Sequence, residues 1–532
     1  MIRINQIKLT LKESKTSIIN KVTTKLSIKT SDIKKLQIYK ESIDARKGRS
    51  INKVYTVDIL VDEMLEEKIL KANISDVLKI EPYTYVSPKH GSKPMHGRPI
   101  VVGFGPAGMM AALLLAEEGY RPIIIERGSK VEDRVKKVEE FWEKGILDPK
   151  CNVQFGEGGA GTFSDGKLTT RVKDDRILKV MDELIEAGAK DEIRYVAHPH
   201  IGTDQLRIIV KNIREKIIRL GGTFHFDTLV EDIVVENNQV VGVITGKGLM
   251  KTKHVVLAIG HSARDTFHAL HSHNIQMEPK PFAIGVRVEH KQSMINKNQY
   301  GDEALAKDLG AAEYFLTHTA SNKRGVYSFC MCPGGVVVPS TSIENGIVVN
   351  GMSYSKRDSE NSNSAILVQV GPDDYGNGVL DGIKFQEDIE RKAFVLGGSN
   401  YKAPAQLISD YLNHTPSTKL GNVKPSYALG VTLTDIHEVF PKAVNVALHE
   451  GFENFEKKIP GFKTGIMTGV ETRSSSPLRI NRNNETMESL SIKGIYPCGE
   501  GCGYAGGIMS AAIDGIRVSE AIIKAYYKKE KN

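Results

Sequence analysis

The stretch Pro99-Ile100-Val101-Val102-Gly103-Phe104-Gly105-Pro106-Ala107-Gly108 decides the fold. It continues through the apolar run Met109–Ala116 to Ile123-Ile124-Ile125-Glu126-Arg127. The β-branched run Ile100–Val102 predicts a buried parallel strand, and Met109–Ala116 predicts a helix apolar all round. Gly103 permits the tight turn between them, Gly105 lets the backbone approach a pyrophosphate, and Gly108 lets the helix pack closely on the strand. The helix N-terminus, with Pro106 and Ala107 in its first turn, offers free N–H groups and a positive dipole end to phosphates. Glu126, about twenty residues on, is placed to accept from a ribose hydroxyl. Together these residues spell a βαβ dinucleotide-binding unit.

Two further segments match G-x-G-x-x-G, at Gly156/Gly158/Gly161 and Gly501/Gly503/Gly506. The first is followed by polar loop residues, so it is no βαβ unit. The second precedes an apolar helix but no strand and no acid. Context therefore rejects both as dinucleotide fingerprints.

The chain has 532 residues, 40% apolar and 26% charged, an ordinary balance for globular protein with several domains. No run approaches the roughly 20 apolar residues of a membrane helix, and the start lacks a signal peptide's apolar centre, which leads us to expect a cytoplasmic protein. Five unevenly spaced cysteines suit reduced thiols better than a disulfide framework. The net charge of +8 is concentrated: residues 1–53 hold 14 Lys/Arg against 4 Asp/Glu. Such a segment suits an anionic partner or a merely solvated face.

Residues 1–95 read as a small basic α+β, ferredoxin-like domain with strands at Ile2–Leu11, Lys35–Ala45 and Val54–Val61. Pro88–Gly97 reads as a linker, and the Ser/Asn-rich stretch Ser353–Ser364 as an exposed loop. Short β runs near Val230–Val235, Val240–Thr245 and His254–Gly260, with a turn at Asn237-Asn238, predict a β-meander.

A flavin rather than a nicotinamide is indicated by Ile495–Ala512. There a strand meets a glycine-rich turn carrying Glu500, and then a small-residue helix begins. A carboxylate for ribityl hydroxyls and a positive helix end at the pyrimidine edge are what a flavin requires. At this point the chain resembles the glutathione-reductase-type flavoprotein superfamily. With Asn152–Leu168 and Ser328–Gly335 it resembles, more closely, a bacterial FAD-dependent dehydrogenase/oxidoreductase family.

The resemblance implies an α/β chain with FAD as cofactor. A Rossmann-type FAD-binding domain with parallel sheet and meander would span residues 96–280 and 471–532. An inserted mixed α+β substrate domain would span 281–470. It implies pyrophosphate contacts from Gly103, Gly105 and Gly108, with Gly158, Gly159, Ala160, Gly161, Thr162 and Ser164 wrapping the other side. Glu126 is assigned to the adenosine ribose and Val230 to the adenine, with Arg127 and Arg134 as further cofactor contacts. Ala258 and Gly260 are further FAD contacts, and Gly499, Glu500, Gly506, Gly507 and Ile508 are assigned to the flavin end. The resemblance supplies no substrate and no catalytic residue.

Only one βαβ unit is present, so NAD(P)H is expected at most as a transient reductant. Lys167, Arg171 and Arg473 are candidates for holding a substrate carboxylate or phosphate; Arg479 and Arg482 are weaker ones. The pairs Cys498/Cys502 and Cys330/Cys332 are read as packing residues, with redox chemistry as the alternative. His198/His200 and His271/His273 lack metal-ligand spacing, and no metal is expected. The leading reading is an FAD-dependent oxidoreductase acting on a small anionic or unsaturated molecule. A flavoprotein acting on RNA through the basic domain, or a non-catalytic redox sensor, are the alternatives.

Overall fold

The computed structural model describes residues 1–46, 50–302 and 305–528; Lys47 and Arg49, counted in the basic N-terminal charge, lie outside them. Five parallel strands form the sheet on which the fold is organised. They run in the order Ile495–Pro497, Val255–Leu257, Ile100–Val102, Ile123–Ile125 and Thr223–His225. The β-branched residues of the central strands are buried on both faces, as a sheet covered on both sides requires. The helix Pro106–Glu117 begins with proline at its first position and Gly105 as its N-cap. Against it lies the C-terminal helix Ile508–Ala525, close enough that a Cβ on Gly515 would sit 2.2 Å from the Ala107 carbonyl oxygen. Small residues thus bring the two helices backbone to backbone, and Ser519 Oγ donates to the Ala111 carbonyl at 2.9 Å.

The meander is formed by Val230–Glu236, Gln239–Thr245 and Gly248–Lys251. Its first turn has Asn237 and Asn238 at φ 51° and 58°, matching the primed turns that suit twisted hairpins.

Above this layer stands a seven-stranded sheet in the order Thr317–Thr319, Gly325–Cys332, Asn361–Val370, Phe282–Lys291, Ile466–Glu471, Ala403–Leu407 and Val431–Leu433. All neighbours are antiparallel except the last pair. Helices Asp381–Leu396 and Lys442–Lys458 bury one face. The central strand Phe282–Lys291 carries Arg287, Glu289 and His290 fully buried. Arg287 is neutralised by Glu471 and donates to Asn350, Asn363 and the Cys330 carbonyl.

Residues 2–79 fold as βαββαβ, with sheet order Lys35–Asp44, Asn52–Leu60, Ile2–Thr10, Val77–Lys79. The fourth strand escapes sequence reading because three residues carry no periodicity. The edge strand Lys35–Asp44 is stitched to the part of the chain that carries the five-stranded sheet. Glu41 N–H donates to the Tyr195 carbonyl at 2.7 Å, and Ala197 N–H to the Glu41 carbonyl at 2.8 Å.

Two expectations fail, the second in part. The Pro88–Gly97 segment is not a free linker: Lys93–Met95 pairs in parallel with Tyr526–Lys528, and a Cβ on Gly91 would lie 2.3 Å from the Lys524 carbonyl oxygen. The Ser353–Ser364 stretch is an exposed loop only in part: residues 354–360 form a partly exposed loop, but the last four residues do not. Asn361, Ser362, Asn363 and Ser364 begin a buried strand, because Asn361 bonds Glu289 and Asn363 bonds Arg287. Among the described residues no helix is long and apolar enough to cross a membrane.

Candidate FAD site

The turn after Ile100–Val102 depends on Gly103, whose φ is +91° and whose Cβ would meet the Ala258 carbonyl oxygen at 2.3 Å. Opposite the helix N-terminus lies the second glycine-rich segment, held by a Gly158 N–H donated to the Phe104 carbonyl at 2.8 Å. Gly159 there has φ +63°, and a Cβ on it would fall 2.9 Å from Gly105 Cα. Two bare backbones therefore face each other beside a positive helix end, a suitable cleft for a pyrophosphate.

Glu126 is only 5% exposed and acts first as an organiser. Its Oε2 accepts from Phe104 N–H at 2.9 Å, and its Oε1 from Gly128 and Gly156 N–H, both at 3.0 Å. One carboxylate ties the fingerprint turn, its own strand end and the second glycine-rich segment together. It also borders the cavity, as do Arg127, Thr228 and Val230. Arg127 lies over the Phe155 ring at 4.1 Å and pairs with Asp265 at 2.8 Å.

At the other end of the cleft, Gly506, Gly507 and Ile508 open the C-terminal helix onto the cavity. Glu500 stands nearby, its carboxyl pushed up to about 7 by burial and partly restored by Lys280. His261 Nε2 is 3.8 Å from Glu500 Oε1, and burial followed by the charge of Arg473 pushes its imidazole down to about 3. His261 is therefore a neutral ring at physiological pH.

These parts enclose a cavity of ≈ 1760 Å³. Of the residues singled out in the sequence, Gly103, Gly105, Pro106, Ala107, Gly159, Ala160, Gly161, Ser164, Ala258 and Gly260 also border it. Five others stand behind its wall. Gly108 lies under Gly103, where a Cβ would be 2.0 Å from the Gly103 carbonyl oxygen. Gly158 packs on Thr162 and Val210, and Gly499 on Ala107. Thr162 directs its hydroxyl to the Glu157 carbonyl at 3.3 Å.

Arg134 is the fifth, and its reading as a cofactor contact is corrected here. It is wholly buried and donates to the carbonyls of Asn152, Val153 and Glu157 at 3.0, 3.0 and 2.6 Å. Its guanidinium moulds the glycine-rich segment from behind, a task set by orphan carbonyls of an irregular loop.

Among the cationic candidates, Arg473 touches the cavity but is held by Glu390 at 3.0 and 2.9 Å and by Ser342. Arg482 is clamped by Asp514 at 2.6 Å, and Arg479 pairs with Glu278. Lys167 reaches Glu313 at 3.2 Å, while Arg171 is exposed above the Phe315 ring at 5.8 Å. Cys498 and Cys502 are buried thiols whose ionisation burial opposes, and Cys502 donates to the Leu257 carbonyl at 3.2 Å.

Sequence reading missed a cluster on the cavity wall. Arg357 binds Asp165 at 3.0 Å and Glu313 at 2.9 Å. Beside them His200, whose Nδ1 has no partner, is pushed down to about 4 by burial and then by Arg357. The antiparallel bridge between Lys167 and His200 brings the two segments together, and nothing in their local sequence signals it.

The donor set fits FAD: a bare-backbone cleft at a helix end, a carboxylate at each end of the cavity, and a second helix N-terminus beyond Glu500. The family models agree on FAD. A family of FAD-dependent proteins, described as C-terminal domain-like, matches residues 281–474, an FAD binding domain matches 98–137, and a domain of unknown function matches 1–60. A digeranylgeranylglycerophospholipid reductase of Methanocella arvoryzae is 28% identical over 156 residues, covering 28% of this chain and 34% of that protein. Among solved structures, glycine oxidase from Bacillus cereus is 14% identical, covering 81% of this chain and 99% of its own, with a TM-score of 0.32. An uncharacterized protein of Clostridium beijerinckii is 49% identical over 99% of both chains. With that relative, the chain belongs to a bacterial family of FAD-dependent proteins.

Proposed function

We propose that the chain is a dehydrogenase or reductase that exchanges a hydride between bound FAD and a small anionic or unsaturated substrate entering beneath the seven-stranded sheet. The observation that carries this reading is the continuity of the cavity. One space of ≈ 1760 Å³ runs from Glu126 past Glu500 to Lys167, Arg171 and Phe315. That exceeds the roughly 300–1,000 Å³ of an ordinary ligand pocket and leaves room for a substrate beside a dinucleotide.

In this reading Gly105 and Gly159 flank the pyrophosphate, Glu126 takes the adenosine ribose, and Val230 the adenine. Glu500 receives the ribityl hydroxyls, and the helix beginning at Ile508 faces the pyrimidine edge. Bound FAD supplies the hydride acceptor or donor. The chain's part is to exclude water and manage protons: Glu500, near 7, can hold or release one, while His261 and His200, both pushed down by burial, stay neutral and can only hydrogen-bond. NAD(P)H serves at most as a transient reductant, since one βαβ unit is already assigned to FAD. Five unpaired cysteines support a reducing, cytoplasmic setting.

The test follows flavin absorbance under anaerobic conditions against NADH, NADPH and a panel of reduced organic acids and amines. Rapid bleaching by at least one donor, reversed by an acceptor in repeated turnovers, is expected. A flavin that no donor bleaches would remove the enzymatic reading.

A further inference from the structure

The N-terminal βαββαβ unit reaches the cavity. The bonds between Glu41 and the 195–197 segment fix its edge strand there, and Glu41, Ser42, Ile43, Ala45 and Lys53 line the mouth. Beyond the cofactor cleft, the carboxylates of this wall are mostly matched. Asp165 and Glu313 are bound by Arg357 and Lys167, and Glu41 by Lys15, which leaves Asp308.

The cations are not matched in the same way. Lys53, Arg171 and Lys356 all line the cavity, Arg171 and Lys356 being exposed, and among the described residues none has a carboxylate within ion-pair distance. They come from three separate parts of the chain: the N-terminal sheet, the segment after the glycine-rich loop, and the loop before the strand Asn361–Val370. Arg171 also rides on Phe315, which is 67% exposed. Cations left unpaired at a concave, partly apolar surface focus a positive potential there and favour an anion over water.

We infer that the N-terminal domain is a wall of the substrate site, and that its Lys53 joins Arg171 and Lys356 in holding a substrate tail with more than one negative charge, a phosphate ester or a polycarboxylate. This rests on the reading of the cavity as a joint FAD and substrate site. The basic composition of the first 53 residues then has a local use: it brings a lysine to the cavity mouth that the FAD-binding layer does not provide.

The test is calorimetric titration of the full FAD-loaded chain at low ionic strength with pyrophosphate and, separately, with citrate. Because FAD already fills its own cleft, binding reports the vestibule. One site per chain is expected, weakening with salt. Lys53→Ala, Arg171→Ala and Lys356→Ala should each weaken it about fivefold, as the loss of one partly exposed charge contact does. Lys53→Glu should weaken it further, and Lys68→Ala, on an exposed helix of the same domain, should leave it unchanged.

Tighter pyrophosphate binding assigns the tail to phosphate, and tighter citrate binding to carboxylates. The inference is overturned if neither anion binds, if Lys53→Ala leaves binding unchanged, or if Lys68→Ala weakens it equally. A Lys53-dependent site in a protein whose flavin no donor bleaches would sink the enzymatic reading alone; a bleaching enzyme with no anion site would sink this inference alone.

Discussion

Replacing Glu126 by alanine separates the two tasks of this residue. The carboxylate accepts three backbone N–H bonds, from Phe104, Gly128 and Gly156, in a place only 5% exposed. Removing it strands three donors, and each stranded buried donor costs about 1–3 kcal/mol, so Glu126→Ala should lose about 3 kcal/mol or more. Glu126→Gln keeps an oxygen for Gly128 and Gly156 but turns an amide N–H₂ toward the Phe104 N–H, so about 1–3 kcal/mol is expected. Urea unfolding of the flavin-free protein reads these losses directly. FAD titration then reads the ribose contact separately, with a loss of tenfold or more for the alanine variant. A Glu126→Ala protein within about 0.5 kcal/mol of wild type would refute the organising role, and unchanged FAD affinity would refute the ribose assignment.

Further outcomes follow from the same geometry. Gly159→Ala combines an unfavourable φ with a Cβ 2.9 Å from Gly105 Cα; purified protein should lose most of its flavin, read from the ratio of absorbance at 450 and 280 nm. Glu157 is wholly buried and pushed up to about 7 by desolvation, with Oε1 unpartnered. A carboxyl whose folded pKa is raised is favourable to folding only while protonated, so stability should fall as pH rises from about 4.5 to 7 by up to about 3 kcal/mol, and Glu157→Gln should flatten that slope in urea titrations. Arg473→Ala leaves Glu390 buried with Arg264 as its remaining cation; it should cost about 3–5 kcal/mol in thermal or urea unfolding, whereas a loss of turnover at unchanged stability would return Arg473 to the substrate candidates.

The fingerprint was legible because everything it needs is local: a β-branched run, three glycines at fixed spacing and an acid at the next strand end. Glu500 and the helix behind it were legible for the same reason. The fates of the arginines were not, because each is decided by a partner far along the chain. Arg473 meets Glu390 only through the packing of the helix Asp381–Leu396 on the seven-stranded sheet, and Arg357 meets Asp165 across 192 residues. Arg134 carries a motif-like position yet turns inward, since an irregular loop leaves three carbonyls for it to satisfy. The Ser/Asn-rich strand misled for a related reason: hydrogen bonds to buried Arg287 and Glu289 make polar side chains suitable core residues, and composition does not reveal such partners.

The central claim is that these separated elements form one FAD site, and equilibrium binding to the flavin-free chain tests it most directly. Titration with FAD, FMN and NAD⁺ should give one tight FAD site per chain, much weaker FMN binding and none for NAD⁺. A chain that binds no flavin, or that prefers NAD⁺, would contradict the account.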